Sequence, residues 1–163
     1  ILRDGLAYDR CQIGVITNFD AERHTGRFYV ETPEQVFNVL RTQVDLVLPK
    51  GTAVLNAKEP MLVDMAPLCD GEVIYFALDP SLPAITEHRE QGKRAVIVRY
   101  GQIMLASGQG EIPLAKLKDI PLTNGGKATE QVENVLAAVA AAWALDVSPE
   151  SMRTGMEAFF AEE

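Results

Sequence analysis

Apolar residues follow two patterns along the first hundred residues. Short apolar runs that contain β-branched residues are typical of buried strands of a parallel sheet, and they occupy residues 12–18, 51–57 and 71–78. The stretches between and after them have apolar residues at three- and four-residue intervals, which predict helices over 32–48, 59–69 and 83–92. This succession predicts an α/β fold, with a parallel sheet wound by right-handed crossovers and flanked by helices.

The first predicted helix begins with a clear start signal. Thr32 is placed to cap the helix, Pro33 to occupy its first position and Gln35 to complete a capping box. The second predicted helix contains Pro67, which is expected to interrupt it because proline cannot continue the helical hydrogen bonds.

The pattern changes after the third predicted helix. Residues 94–122 hold three short extended runs, which predict a β-hairpin or a small antiparallel element. Helical spacing returns over 130–146 and 148–160, and Ser148 is placed to cap the last helix. No repeat, low-complexity segment or linker divides the chain. The sequence therefore predicts a single α/β domain over 1–163.

The glycine-rich segment NGGKAT at 124–129 invites comparison with a phosphate-binding loop. A P-loop requires glycine, four residues, and then glycine, lysine and serine or threonine. Pro121 stands at the leading glycine position and Ala128 follows the lysine. The segment is therefore predicted to be a simple turn before a helix, and the chain has no P-loop of its own.

Composition excludes several classes of function. The net charge of −8 argues against nucleic-acid binding, which needs clustered lysine and arginine. No apolar run approaches the ~18 residues of a membrane span, and no signal peptide is visible. Cys11 and Cys69 do not have the spacing of a disulfide framework or a metal site, and Cys11 is predicted to be a buried or half-buried thiol. These features predict a cytoplasmic protein.

Four amide side chains are candidates for a binding site. Asn18 and Asn56 end two predicted strands, at the edge of the sheet where open α/β proteins bind ligands, although asparagine also starts many loops. Asn134 lies in an otherwise apolar helix, three residues after Gln131, and asparagine is a mediocre helix former. Its presence suggests a partner, either a main-chain group of a neighbouring loop or a purine ring.

The two histidines differ in their surroundings. His24 lies in a polar loop after a predicted strand, near Asp20 and Glu22. Such a histidine can be a metal ligand or an acid–base group, and the alternative is a solvent-exposed loop residue. His88 lies on an amphipathic, charged helix and is predicted to be a surface residue, in a run (87–94) predicted to be a solvated helix end.

Several segments, taken in order, resemble a known family. They are ILRDGLAYDRCQIGVITN, ERHTG, TPEQ, GTAVLNAKEP and PLTNGGKATEQVENVLAAVAAAWALDV. Together they look like the cyanophycin synthetase version of the Mur ligase central domain, from about Ile1 to Phe160. The resemblance implies that the chain is the back half of such a domain. The P-loop half and an amino-acid-binding C-terminal ligase domain would be its missing partners.

The resemblance also implies a reaction. In that family the central domain holds ATP and Mg²⁺ and phosphorylates a carboxylate, and an amino acid such as arginine then attacks to form an amide. The chain would be part of such an ATP-dependent amide ligase. Without the P-loop half, the isolated chain is predicted to be inactive.

Site residues match the family unevenly. On the adenine side, the helix asparagine of the family falls on Asn134 with Gln131 before it, and Asn56 matches a strand-end asparagine. These residues and Asn18 form the predicted cofactor-binding set.

On the metal side the match is weaker. The magnesium-binding histidine falls on His24, but Arg23 stands where the family has an aspartate. A lysine near the phosphates falls on Leu40, beside Arg41.

These departures leave an alternative open. The protein would then be a degenerate, non-catalytic relative that assembles with an active synthetase through an exposed sheet edge, and a homo-oligomer is expected from such an edge. A stand-alone small-molecule-binding domain is a third possibility.

Overall fold

The computed structural model describes residues 5–20, 25–26 and 29–159, in which six strands form one sheet with helices on both faces. The strands are β1 (Cys11–Ile16), β2 (Val47–Asn56), β3 (Glu72–Ala77), β4 (Arg94–Arg99), β5 (Gln102–Ser107) and β6 (Gly110–Lys116). The helices are α1 (Pro33–Asp45), α2 (Pro60–Met65), α3 (Pro83–Glu90), α4 (Thr129–Ala144) and α5 (Pro149–Ala158). Short 3-10 turns occupy Ala66–Leu68, Leu117–Asp119 and Pro121–Gly126.

The strands lie in the sheet in the same order as in the chain. β1 to β4 are parallel, whereas β4, β5 and β6 pair antiparallel. The predicted α/β fold with an added antiparallel element is confirmed. The prediction was incomplete in one respect, because β4 belongs both to the antiparallel element and to the parallel sheet. Its residues Ala95, Val96 and Ile97 are fully buried, as expected of a strand covered on both faces.

One face of the sheet is covered by the three crossover helices, and we call it the crossover face. Leu55 of β2 and Tyr75 of β3 point to this face and pack with Val44 of α1, Leu62 of α2 and Ile85 of α3. Right-handed crossovers that all proceed in one direction along a sheet place their helices on the same side.

The opposite face is covered by α4 and α5, and we call it the α4 face. Val54 of β2 precedes Leu55, and Phe76 of β3 follows Tyr75. Because side chains alternate along a strand, Val54 and Phe76 point to the α4 face. They pack with Val132 and Leu136 of α4 and with Met152 of α5.

The local start signals of two helices are confirmed. The Thr32 hydroxyl accepts a hydrogen bond from the main-chain N–H of Gln35 at 3.3 Å, and the Gln35 side chain accepts from Thr32 N–H at 3.2 Å. The Ser148 hydroxyl likewise accepts from the N–H of Ser151 at 3.1 Å.

Several boundaries differ from the sequence prediction, and one of them exchanges a helix for a strand. The helix predicted over 32–48 ends at Asp45, and Val47 is instead the fully buried first residue of β2, paired with Cys11. A buried β-branched residue satisfies a helical and a strand pattern equally well, so apolar spacing alone could not separate the two. The predicted interruption by Pro67 is confirmed, because α2 ends at Met65 and a 3-10 turn follows over Ala66–Leu68.

No helix in the described part of the chain is long and apolar enough to cross a membrane. Cys11 and Cys69 are both free and half-buried. Burial raises the pKa of each thiol above its ordinary value, which keeps both in the unreactive protonated form.

Candidate functional site

The ends of the parallel strands and the start of α4 meet at one edge of the sheet, which we call the carboxyl edge. Lys58, just after β2, places its Nζ 3.3 Å from a carboxylate oxygen of Glu133 in the second turn of α4. At the other end of α4, Arg94, the first residue of β4, donates to the carbonyl of Trp143 at 3.3 Å. α4 therefore runs opposite to the strands and begins where open α/β sheets bind ligands.

Asn56 joins the ends of the first two strands. Its side-chain Nδ2 donates to the carbonyl of Thr17 at 3.0 Å, and its Oδ1 accepts from the N–H of Lys58 at 3.0 Å. The residue is only 1% exposed. Both polar atoms of the amide thus have partners within the protein, which supports the structural role that the sequence left as an alternative.

Asn18 lies close to this junction but differs in exposure. It directly follows Thr17, beyond the end of β1, and its side chain is exposed. The structure therefore brings Asn18 and Asn56 to the same corner of the carboxyl edge, with Asn18 open to solvent and Asn56 buried.

Gln131 and Asn134 form the second pair of predicted site residues. They lie one turn apart at the start of α4, and the Asn134 Nδ2 donates to the Gln131 Oε1 at 3.4 Å. Asn134 is exposed and Gln131 is half-buried. The contact between Lys58 and Glu133 places this pair beside the end of β2, so the described site residues share one edge of the sheet.

An apolar groove of about 360 Å³ runs between α4 and α5. Asn134 lines one part of it, and Ser151 is the other polar residue of its lining. Its apolar lining includes Ala138, Gly155 and Met156. The sequence did not predict this groove, which is formed by the packing of two helices rather than by a motif.

The predicted metal residue His24 lies outside the described residues, as do Arg23 and Glu22. Within the described ranges, no group of three or more histidine, cysteine, aspartate or glutamate side chains could hold a metal ion. The described residues therefore offer no donor set that fits Mg²⁺.

The two residues at the position of the family's lysine have other roles. Leu40 is partly buried in the core of the crossover face. Arg41 forms an ion pair within α1, in which its Nε lies 3.1 Å from a carboxylate oxygen of Asp45 one turn later. Arg41 is therefore engaged at the C-terminal half of α1, away from the carboxyl edge.

The glycine segment is a closed turn, as predicted. Asn124, Gly125 and Gly126 all have positive φ, at 48°, 65° and 88°. The fully buried Thr123 holds the turn, because its hydroxyl lies 2.6 Å from the carbonyl of Leu117 and accepts from the N–H of Gly126 at 3.3 Å. Hydrogen bonds within the segment therefore hold the turn closed.

The prediction that His88 is a surface residue was wrong. His88 is 6% exposed, its ring lies 4.6 Å from that of Tyr75, and its Nε2 is 3.0 Å from the carbonyl of Val73. Burial lowers the pKa of His88 and raises the pKa of Tyr75 to about 12. The partners lie on β3, so the helix sequence alone could not reveal them.

The charged run around α3 is mostly exposed, as predicted, but Arg89 is half-buried. Arg89 donates to a carboxylate oxygen of Glu111 at 2.7 Å, and Arg99 Nε lies 3.0 Å from the other oxygen. Burial by itself would raise the pKa of Glu111, but the hydrogen bonds from the two guanidinium groups outweigh it and lower that pKa. This cluster joins α3 to β4 and β6 and is structural.

The fold has clear relatives among solved structures. The MurF structure from Acinetobacter baumannii superposes with a TM-score of 0.57 at 16% identity, over 93% of this chain and 30% of that one. A pseudomurein peptide ligase type C from Methanothermus fervidus gives a TM-score of 0.55 at 17% identity, over 93% of this chain and 34% of that one. The order of strands and the helices on both faces thus define an α/β domain with the fold of the Mur ligase central domain.

Sequence comparison narrows the class further. The cyanophycin synthetase of Crocosphaera subtropica is 35% identical over 159 residues, which cover 98% of this chain and 18% of the synthetase. The chain is therefore homologous to a segment of the cyanophycin synthetases, and it spans less than a fifth of their length. No protein-family model matches it.

Proposed function

We propose that the chain works as part of a longer ATP-dependent amide ligase and forms the adenine side of its ATP site. In this proposal ATP and Mg²⁺ activate a carboxylate, which is then joined to an amino acid such as arginine. The main support is the exposed amide of Asn134, which lies at the carboxyl edge beside Gln131 and an apolar groove. Free thiols at Cys11 and Cys69 suit work in the cytoplasm.

The chemistry of this corner suits a purine better than a phosphate. An amide can donate to and accept from the edge of a purine, and the apolar lining of the groove can contact a flat ring. No described cation is free at the corresponding phosphate position, because Leu40 is packed in the core and Arg41 is paired with Asp45. The phosphates are therefore assigned to the P-loop of the longer ligase, and the isolated chain is expected not to turn over ATP.

A degenerate assembly module is the second candidate. The position of Leu40 favours it, since a packed leucine cannot stabilise the charge that develops during phosphoryl transfer. The two candidates differ in whether a complete synthetase that contains this chain has ligase activity.

The test is a graft in which this chain replaces the matched 159 residues of the Crocosphaera subtropica synthetase. ATP-dependent incorporation of arginine would be measured for the graft and for its Asn134→Ala and Gln131→Ala variants. We expect the KM for ATP to rise about tenfold in each variant, the effect of losing one or two hydrogen bonds. Asn38→Ala is the matched control, an exposed helical asparagine on the crossover face.

Two results would count against the proposal. Equal KM values for ATP in Asn134→Ala and Asn38→Ala would show that α4 does not contact the adenine. A graft that folds and has the thermal stability of the parent synthetase, but has no ligase activity, would favour the degenerate module.

A further inference from the structure

A cavity of about 390 Å³ opens on the crossover face between α2 and α3. Its lining includes Val73, the second residue of β3, and Lys93, the residue directly before β4. The cavity therefore lies toward the end of the sheet at which the parallel strands begin, which we call the amino edge. The residues of the proposed ATP site lie at the carboxyl edge, so the two sites are separate.

Tyr75 supplies a buried polar group to this cavity. It is one of the lining residues, it is only 5% exposed, and its hydroxyl forms no hydrogen bond with another described residue. Most buried polar groups in proteins are paired, because leaving one without a partner is costly. Burial raises the pKa of Tyr75 to about 12, so the hydroxyl keeps its proton at neutral pH and can donate it to a ligand.

His88 fixes the position of Tyr75 without using its hydroxyl. The His88 Nε2 lies 3.0 Å from the carbonyl of Val73, and the two rings meet edge to face with their centroids 4.6 Å apart. Burial lowers the pKa of His88, so its ring is mostly neutral at pH 7. The inner part of the cavity is therefore uncharged. The remaining inner walls are apolar and consist of Val63, Ala66, Pro67, Val73 and Ala84.

The rim of the cavity carries two charges of opposite sign. Glu87 of α3 and Lys93 both line the cavity and are exposed. Within the described ranges, neither forms an ion pair with the other or with a third residue. Glu87 lies near the C-terminal end of α3, where the helix dipole also favours a positive group. A ligand with an ammonium group, a carboxylate and an apolar body would match this rim and the walls below it.

We propose that this cavity binds an apolar α-amino acid such as leucine. The ligand carboxylate accepts a hydrogen bond from the Tyr75 hydroxyl and pairs with Lys93, its ammonium group pairs with Glu87, and its side chain lies on the apolar walls. Such a ligand contacts α2, β3 and α3 together, so its binding stabilises the packing of these helices on the sheet. The inference does not depend on the proposed function, because the cavity lies away from the carboxyl edge.

Matched ligands test the two charges. L-Leucine has both, 4-methylpentanoate lacks the ammonium group, and 3-methylbutylamine lacks the carboxylate. Each would be titrated at constant pH into the isotope-labelled chain, and the amide signals would be followed by NMR. We expect L-leucine to shift the amides of the residues that line the cavity. It should bind at least about threefold more tightly than either analogue, because each analogue loses one exposed charge pair.

Substitutions test the protein side of these contacts. Tyr75→Phe removes only the hydroxyl, so we expect the ligand-free variant to melt at the temperature of the unmodified chain or higher. Its Kd for L-leucine should rise about tenfold, because a buried hydrogen bond to a charged group is lost. Glu87→Gln should raise that Kd about threefold. Glu90→Gln is the matched control and should leave it unchanged, since Glu90 is an exposed glutamate of the same helix outside the cavity lining.

Several results would overturn the inference. An absence of shifts with L-leucine at about 20 mM, well above the Kd of about 1 mM expected for so small a ligand, would exclude the site. Shifts confined to the groove between α4 and α5 would place the ligand elsewhere. Equal binding of L-leucine and either analogue would exclude the zwitterion. Equal Kd values for Tyr75→Phe and the unmodified chain would exclude the hydroxyl contact, and a clearly lower melting temperature of Tyr75→Phe would assign the hydroxyl a partner within the protein.

Discussion

The side-chain amide of Asn56 joins β1 to β2 by donating to the main-chain carbonyl of Thr17 at 3.0 Å. The same amide accepts from the N–H of Lys58, so it also shapes the turn that leads to α2. This residue was predicted from its place at a strand end as a cofactor-binding residue. Its burial and its two partners indicate that it also sets the geometry of the carboxyl edge on which Asn18 lies.

Replacing Asn56 should therefore destabilise the fold. Asn56→Ala leaves the Thr17 carbonyl and the Lys58 N–H without their partner at a part-buried junction, and we expect a loss of about 1–2 kcal/mol in the free energy of unfolding. Urea unfolding followed by circular dichroism measures it. Asn18→Ala is the control, because an exposed asparagine should change stability by less than ~0.5 kcal/mol. Equal losses in the two variants would contradict the assigned role.

Acid should weaken the cluster around Glu111. Its pKa is lower in the folded state than in the unfolded chain, so the unfolded state binds more protons as pH falls. The stabilisation by Arg89 and Arg99 is then fully present above the ordinary glutamate pKa of 4.5 and is lost as pH falls through the folded pKa. We expect Glu111→Gln to be less stable than the unmodified chain at pH 7, with a difference that shrinks below that range. A difference that stays constant down to acid unfolding would exclude this role.

His88 should give a second pH dependence at higher pH. Its pKa is lowered by burial, so the unfolded chain takes up a proton more readily than the folded one. Stability should therefore be full above the ordinary histidine pKa of 6.5 and should fall as pH decreases below it. Glu72 and Lys93 are the charged groups that act on His88, and they shift its pKa in opposite directions.

The measurement compares the unmodified chain with His88→Phe in urea at pH 7.5 and pH 5.5. Phenylalanine keeps the ring near Tyr75 and cannot be protonated. We expect the unmodified chain to lose more stability than His88→Phe between the two pH values. Parallel losses would show that other groups titrate and that His88 does not contribute.

The turn before α4 should require glycine at Gly126 for two reasons. Its φ is +88°, and a Cβ at this position would lie 3.1 Å from Cδ1 of Leu117. Gly101 has a similar φ of +69° but open space around it, so Gly101→Ala isolates the backbone cost of about 1–2 kcal/mol. We expect Gly126→Ala to cost about 1 kcal/mol more in thermal or urea unfolding, because Leu117 must shift. The steric explanation fails if both variants lose the same stability.

The sequence predicted the features that depend on neighbouring residues. The capping box of Thr32 and Gln35 needs only a few residues of chain, and the glycine turn at 124–126 follows from backbone preferences. The strand ends also placed Asn18 and Asn56 at the same edge, because parallel strands end together. Such local signals were sufficient for the fold class.

Features made by distant residues could not be predicted in this way. The partner of the Asn56 amide lies 39 residues earlier, and the carbonyl beside His88 lies 15 residues earlier. A charged helix such as α3 has the same appearance in sequence whether one of its residues is covered by a strand or not. The groove at Asn134 similarly depends on how α5 returns against α4.

The order of the strands has a consequence for how the chain folds. Each strand pairs with the strand next to it in the chain, so no pairing has to wait for a distant segment. The hairpins β4–β5 and β5–β6 close short loops, which cost less entropy than the longer crossovers through α1, α2 and α3. Contacts between nearby segments also favour fast folding. The sheet can therefore grow one strand at a time while the chain leaves the ribosome, and α4 closes the second face only after all six strands have been made. We expect nascent chains that stop before Thr129 to bind chaperones until the helix is complete.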